Sequence, residues 1–545
     1  MPVIMGNSNS AKKVELIEKC HSFAKYLLPR ILTQISRDRN LPLTGCGDRN
    51  YWHYKIRDFS SLIIQQAGYT AWKAAKFAGY PESSLRQLAM DSCIFWNRRA
   101  VMFRAFEEYY PWEEGYPPLA FSTLSTIKLV DEGVVKPEDV LPGLKVAARQ
   151  LLSRFEAQAT NQQMAGTAAL CYIHKIMPEL VPSDLLEKII VKTLACQQEE
   201  GWFMEYGGSD LGYLSVTMDC LWDAYDASGD ERFVKAASKA LRFIAIFFDL
   251  TPRGIGMHNA RNTDYVVPYG IARFLKVQEY SQIAANLIFR LLDQIDQPGH
   301  FFHAIDDRYW CHYIGHSFYR TLPLLEFLPD DIVYSNHAES GFRRLEGSGH
   351  ILQYSPRPFP AIISTLKGGI LTLFDRNGKT FSDFGWIILS HGEIWTNHWF
   401  SNSWNIRVGE NRVEIKGYLS RHSYLKNTPV RHICLRVLSF CFGRRIIACL
   451  KNKMIFKKDE SKFPFSREIL FDKEKVIVND YFSLFPEARI MRAPRASQRH
   501  VASADSFHYE DFSLKENGSQ ISRHEKVESA GFEYRITTIY SYVGE

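Results

Sequence analysis

Residues 199–213 read EEGWFMEYGGSDLGY and put four carboxylates, four glycines and four aromatic side chains into one short stretch. Carboxyl and phenol groups can move protons, glycines let a ligand approach the backbone, and rings can cover a sugar. A plain connector has no use for Trp202, Phe203, Tyr206 and Tyr213. A second cluster, GIGMHNARNTDYVVPYG, holds His258, Arg261, Asn262 and Tyr265, and its arginine has the forked donor geometry that recognises a carboxylate. A third stretch, ATNQQMAGTAAL, sets Asn161 and Gln162 where a helix begins, so amide donors and free backbone N–H groups coincide.

These residue types suit proton transfer beside a carboxylate, and the family resemblance carried by the same residues implies that the carboxylate is a sugar's. Taking the weakly acidic C5 proton of a uronic acid needs donors on the carboxylate, a base for the proton and an acid for the leaving oxygen. Asn161 and Arg261 are the donors, and Tyr213 is the acid. The base is the same phenol or His258, which also reads as an alternative acid. Gln162, Glu205, Asn262, Tyr265 and Tyr269 read as substrate contacts. Plainer roles stand beside these: Asn161, Asn262 or Thr263 as helix caps, Glu205 and Asp210 as solvated loop charges or supports for Tyr213, and Tyr213 as a packing residue. His312 and His316 are four apart and would share a helix face, yet no carboxylate stands at a matching offset. With His303 they read as core or capping residues, and neither metal nor cofactor is expected. Trp52, Tyr54, Arg57, Trp96 and Arg98 read as core stripes rather than a sugar platform.

The elements that position these residues follow from length and periodicity. At 545 residues the chain is too long for one core; 46% hydrophobic and 23% charged residues mark a globular protein, and 14% aromatics suits ring-shaped ligands. A net charge of +6 and the lack of a basic run give no argument for nucleic acid. The ten cysteines lack metal spacing and read as reduced core thiols. The apolar start is too short for a signal peptide and no window reaches a membrane span of ~20 residues, so the expected location is cytoplasmic, with no membrane partner.

From about residue 139 helix-period segments recur in pairs with a period of about 45 residues: EDVLPGLKVAARQLLSRFE with NQQMAGTAALCYIHKIM, LLEKIIVKTLACQQ (with Ser183 as its N-cap) with YLSVTMDCLWDAYDASGD, then DERFVKAASKALRFIAIFF with YVVPYGIARFLK, and SQIAANLIFRLLDQ with CHYIGHSFYRTLPLLEFL. YWHYKIRDFSSLIIQQ and DSCIFWNRRAVMFRAFEEYY extend the pattern towards the N-terminus. Antiparallel packing then brings the glycine- and aromatic-rich loops to one rim. After about residue 345 β-branched and aromatic runs take over, AIISTLKGGILTLFD to FEYRITTIYSYV, RRIIACLKNKMIF among them, with no helix evident. The expectation is a multidomain α and β chain: an N-terminal incomplete (α/α) toroid over 1–330, a linker over 331–345 and a C-terminal antiparallel β-sandwich over 346–545.

This order, with Asn161 opening a toroid helix and EEGWFMEYGGSDLGY following some fifty residues later, resembles the heparinase II/III-like polysaccharide lyases and their uronate-epimerase relatives. The family's loop has the form DG-x-x-x-EG-x-GY, matched here by Gly201, Glu205, Gly212 and Tyr213, and its final tyrosine is catalytic. The resemblance implies a lyase acting on an anionic glycan by β-elimination. Gln162 stands where many members have His, and the histidine-rich signature of the sandwich is missing; His391 and His398 are the nearest candidates, with His398 taken as a substrate contact. Three rivals remain: a C5 epimerase on the same site, an inverting glycoside hydrolase using Glu205 with Asp210 or Asp264, and a non-catalytic glycan-binding protein. Oligomeric state and the identity of the glycan stay open.

Overall fold

The computed structural model describes residues 6–77, 79–248, 255–331, 342–344, 351–354, 360–375, 380–390, 392–422, 428–443, 445–447, 460–472, 474–484, 488–493 and 520–542. Two classes of helix alternate along the first part. Gly6–Leu32, Glu82–Phe103, Pro137–Leu152, Ser183–Leu194, Glu231–Phe248 and Ser281–Leu292 form an outer layer. Gln66–Ala74, Tyr116–Asp131, Thr160–Ile176, Leu211–Ser228, Tyr269–Ala272 with its continuation Arg273–Lys276, and Tyr313–Thr321 form an inner ring. Sequence decides the layer. Inner helices such as LGYLSVTMDCLWDAYDAS are buried on every face over most of their length, whereas ERFVKAASKALRFIAIFF buries one stripe, including Phe233, Ala237, Leu241, Ile244 and Phe248.

The last inner helix packs on the first, so the ring closes on itself: His316 Nε2 meets Gln66 Oε1 at 3.2 Å, and Gly315 lies so near Thr70 that a Cβ would come within 2.8 Å of its methyl. All six inner helices send a polar side chain into the middle. Arg320 and Lys128 pair with Asp223, Arg320 lies 3.5 Å over the Tyr269 ring, Lys128 lies 4.9 Å over Tyr69, and Tyr172 borders the same charges. Burial alone would raise the Asp223 carboxyl; Arg320 and Lys128 overcome it and hold the group well below the usual range. Burial lowers the Lys128 amine to about 8, with Arg320 adding to the effect.

Among the described residues the strands form two antiparallel sheets. Phe342–Arg344, Ile351–Tyr354, Ala361–Ser364, Ile370–Phe374 and Thr380–Asp383 make a five-stranded sheet in sequence order, the first strand lying in the stretch read as linker. The second sheet has nine strands, centred on Arg412–His422, Glu460–Phe471, Lys475–Ser483 and Glu533–Tyr542. Alternation along the small sheet serves two cores. Leu352, Ile363, Leu371 and Leu373 face the large sheet, while Ile351, Ile362 and Phe374 pack on the helices. Arg467, fully buried, ties the sheets by reaching Asp480 at 2.7 Å and the Gly369 carbonyl at 3.0 Å.

Four local expectations change. PVRHICLRVLSFCF, in the β part, is a helix, Pro429–Phe442, capped by the Thr428 hydroxyl on the Arg431 N–H. Residues 53–62 contain no helix. Ser183 is the first helical residue and Pro182 the cap position. The 265–268 stretch is irregular, with helix only from Tyr269. Most of RRIIACLKNKMIF lies outside the described residues. Among the described residues no helix is long and apolar enough to cross a membrane.

Removing one partner of a buried charge group leaves the others uncompensated. Asp223→Ala should therefore lower unfolding stability by about 3–5 kcal/mol, measured by urea denaturation. A change of less than about 1 kcal/mol would show that the central charges do not hold the ring.

Candidate functional site

Since the inner helices run the same way, the segments leading into them meet at one rim, where the helix N-termini also lie. The small sheet, its turns and the 397–404 loop of the large sheet abut this rim. His258 Nε2 pairs with Thr372 Oγ1 at 2.9 Å, Ser364 Oγ donates to the His258 carbonyl, and Phe400 approaches Gly207.

One lobe of the rim is built from Asn161, Gln162, Glu205, Tyr206 and Arg261. The Asn161 N–H donates to Glu205 Oε1 at 2.7 Å, and the Thr160 N–H to the Met204 carbonyl, which fastens the glycine-rich loop to the start of Thr160–Ile176. Burial raises the Glu205 carboxyl well above its usual range despite that N–H. Gln162 Nε2 donates to the Tyr206 hydroxyl at 3.3 Å, and the Arg261 guanidinium lies 4.5 Å from the centre of the Tyr206 ring. Arg261 Nε and Gln162 Oε1 are buried with no hydrogen-bond partner among the described residues. Tyr206 holds a left-handed backbone, φ 54°, a strained state for a tyrosine that functional loops retain when packing enforces it.

The second lobe surrounds Tyr213. Asp210 caps Leu211–Ser228 by accepting the Tyr213 N–H at 3.1 Å on one oxygen, and accepts the Arg261 N–H at 3.1 Å on the other. Asn259 Oδ1 takes the Leu211 N–H at 2.9 Å. Gly212 is required by the approach of the next loop: a Cβ there would meet the Thr263 methyl at 2.1 Å and the Tyr265 carbonyl at 2.5 Å. Tyr213 is buried, beside the phenols of Tyr109, Tyr265, Tyr309 and Tyr313. Tyr265 and Tyr313 share a hydrogen bond of 2.5 Å, and burial, then the nearby phenols, raises both well above the usual value. The Tyr109 ring is half open to solvent.

Glu108 borders the same cluster and was not singled out in the sequence. Burial raises its carboxyl to about 7, against the pull of Tyr109, Arg308 and Arg57. Its segment FEEYYPWEEGY has the glutamates, aromatics and closing Gly-Tyr of 199–213 and likewise leads into an inner helix, which was the available signal. Lys367 was also missed, because KGG reads as a turn. Its Nζ donates to the Met257 carbonyl at 2.7 Å, and to the Asn259 carbonyl and Asn262 Oδ1, pinning the 257–262 loop to the small sheet.

Several expected contacts have other partners. His258 is buried with its ring on Thr372, turned to the sheet. Asn262 holds a left-handed backbone, φ 61°, and receives Lys367; neither it nor Thr263 caps the next helix, whose cap position is Pro268. Tyr269 lies in the central charge group, its hydroxyl accepting from Arg273 at 2.8 Å beneath Arg320, and so is away from the rim. Asp210 accepts backbone N–H groups on both oxygens and Glu205 accepts the Asn161 N–H on one, so both fasten the loops of the rim. His398 pairs with Thr396 Oγ1 at 2.6 Å in the loop that reaches Gly207; His391 lies outside the described residues. His303 pairs with the Ile295 carbonyl, His312 stands at a helix cap position against Tyr309, and His316 meets Gln66. Burial lowers the His312 imidazole to about 3. No group of three or more potential metal ligands occurs among the described residues. A groove of about 810 Å³ lies elsewhere, on the nine-stranded sheet, lined by Lys416, Tyr418, Tyr481 and Arg535 among others.

No protein-family model and no curated protein matches the chain. Among solved structures, the chondroitin AC lyase of Streptomyces coelicolor A3, in complex with chondroitin sulphate, is similar over 98% of this chain and 80% of its own, at 8% identity and a TM-score of 0.51. An unsaturated glucuronyl hydrolase specific for heparin is similar over 57% of this chain and 96% of its own, at 12% identity and a TM-score of 0.38. The first likeness shows the fold, a helical toroid followed by a β domain.

Glu108 gives this rim a pH signature. Its folded value of about 7 exceeds the ordinary carboxyl value of about 4.3, so the native state keeps a proton that the unfolded chain has released between the two. The stability from the neutral acid is complete below that window and lost as pH rises through it. Glu108→Gln should flatten the decline by about 1–3 kcal/mol, read from urea midpoints across the window. An unchanged slope would mean that Glu108 is ionised at neutral pH.

Proposed function

We propose that the chain is a glycan-processing enzyme, and that it cleaves a uronate-containing glycan by β-elimination in the manner of heparinase II/III-like lyases. The observation that carries the reading is the placing of Tyr213. Its phenol lies among four others at the N-terminal rim of a closed helical ring, and Asp210 joins the backbone N–H of Tyr213 to that of Arg261. The fold shared with a chondroitin AC lyase supports the substrate class.

In this reading Arg261 and the Asn161 amide take the uronate carboxylate and lower the cost of charge that develops when the C5 proton leaves. Tyr213 exchanges protons with C5 and with the leaving oxygen; the C4–O bond breaks and a C4–C5 double bond forms, with no water consumed. Gln162 and Tyr206 border the sugar on the Arg261 side. His258, held by Thr372, acts as a support for the loop. Buried Glu108 favours one second reading, a hydrolase with that carboxylic acid as proton donor, since an acid near 7 is suited to protonating a leaving group.

A screen of uronate polymers and oligosaccharides, followed by near-ultraviolet absorbance and by deuterium uptake from solvent, tests the reaction class. A lyase makes an absorbing product, a hydrolase makes reducing ends without absorbance, and an epimerase exchanges the C5 proton without cleavage. On a cleaved substrate, Tyr213→Phe should keep the ring and the fold but lower turnover by about 10²–10⁴-fold. Asn161→Ala should lower it by about 10²–10³-fold, by analogy with an oxyanion donor. Near-normal turnover of Tyr213→Phe would exclude the phenol and shift the chemistry to Glu108.

A further inference from the structure

The helix Pro429–Phe442 leaves Val430, Ile433, Val437, Leu438, Phe440 and Phe442 largely exposed, at 46–70% of full accessibility. Val430, Ile433, Val437 and Phe440 follow one another at helical spacing and form a stripe. The helix is nevertheless held in place. Arg436 pairs with Asp58 at 2.5 Å, Ser439 Oγ donates to the Pro111 carbonyl at 3.0 Å, and the Phe440 ring stands edge-on to the exposed Trp112 at 5.3 Å. The Arg436 and Ser439 contacts take up the polar side of the helix, and the apolar stripe, with Phe440 at its Trp112 end, faces outward next to the rim segment that carries Glu108 and Tyr109. A face of this kind on a soluble surface marks a contact with something else.

Charge says with what. Between residues 415 and 458 the sequence has eleven Lys and Arg and no Asp or Glu, although the whole chain has a net charge of only +6, so the remainder is net acidic. Lys416, Arg421, Arg431, Arg436 and Arg445 are the described members of this run, and Lys416, Arg421 and Arg436 pair with Glu414, Glu393 and Asp58. A second copy laid face to face would bring like charges together, and a free polyanion would make no use of the valine, leucine and phenylalanine side chains. An anionic bilayer surface uses both: apolar side chains enter the boundary of the acyl chains while cations meet lipid headgroups. We propose that Pro429–Phe442 docks this protein on anionic phospholipid surfaces. Lack of a membrane-spanning segment supported the expectation of no membrane partner, but a helix lying in the interface needs no span.

The test is co-sedimentation of the full chain with vesicles of phosphatidylcholine alone and of phosphatidylcholine with phosphatidylserine. Binding should need the anionic lipid and weaken as salt is added. Ile433→Glu with Val437→Glu, both at exposed positions, should lower vesicle binding on the order of tenfold or more while the circular dichroism spectrum and Tm stay unchanged. No binding to either vesicle, or equal binding by the double variant, would overturn the proposal. So would self-association in sedimentation velocity that the double variant abolishes, since that makes a second copy the occupant.

Discussion

Both lobes of the rim depend on one carboxylate. Asp210 caps the helix Leu211–Ser228, in whose first turn Tyr213 lies, and, through its other oxygen, holds the backbone of Arg261. The phenol and the guanidinium come from segments some fifty residues apart, kept in register by this side chain together with Asn259 on the Leu211 N–H, the Ala260 N–H on the Ser209 carbonyl and the Gly212 approach. Lys367 completes the arrangement from the β part by gathering three oxygens of the 257–262 loop. The loop is therefore fixed from both the helical and the β part. A buried carboxylate and a buried ammonium are expensive to leave unpaired, and their fastening to backbone groups makes the rim geometry specific rather than plastic.

The same physics operates at the centre of the ring. Asp223 with Lys128 and Arg320 binds helices together where the ring would otherwise enclose a channel, and Tyr69, Tyr172 and Tyr269 complete the filling. The small sheet, apolar on both faces, packs against the rim and also forms one wall of the sandwich core.

The sequence made the architecture legible because its period of helix pairs and its change to β-branched runs are collective signals over many residues. The loop 199–213 could be singled out for the same reason: its density of aromatics and glycines is not needed by a connector. Single roles were less legible. Asp210 and Glu205 look like free acids in a string of letters, but their partners are backbone N–H groups that no letter displays. Tyr269 sits four residues after Tyr265, yet the irregular 265–268 stretch carries it down among the central charges. Helix Pro429–Phe442 was hidden because valine, isoleucine and phenylalanine suit strands, and its Thr428 cap and packing on Pro111 and Trp112 outweigh that preference.

The central claim is that an anionic sugar binds at the rim between Arg261 and Tyr213. A crystal structure of the Tyr213→Phe protein soaked with a uronate oligosaccharide tests it most directly. The expected result is a sugar carboxylate within hydrogen-bond distance of Arg261 or Asn161, with a glycosidic oxygen facing residue 213. A sugar seated instead in the groove around Tyr418 and Tyr481 on the large sheet, with the rim empty, would contradict the account.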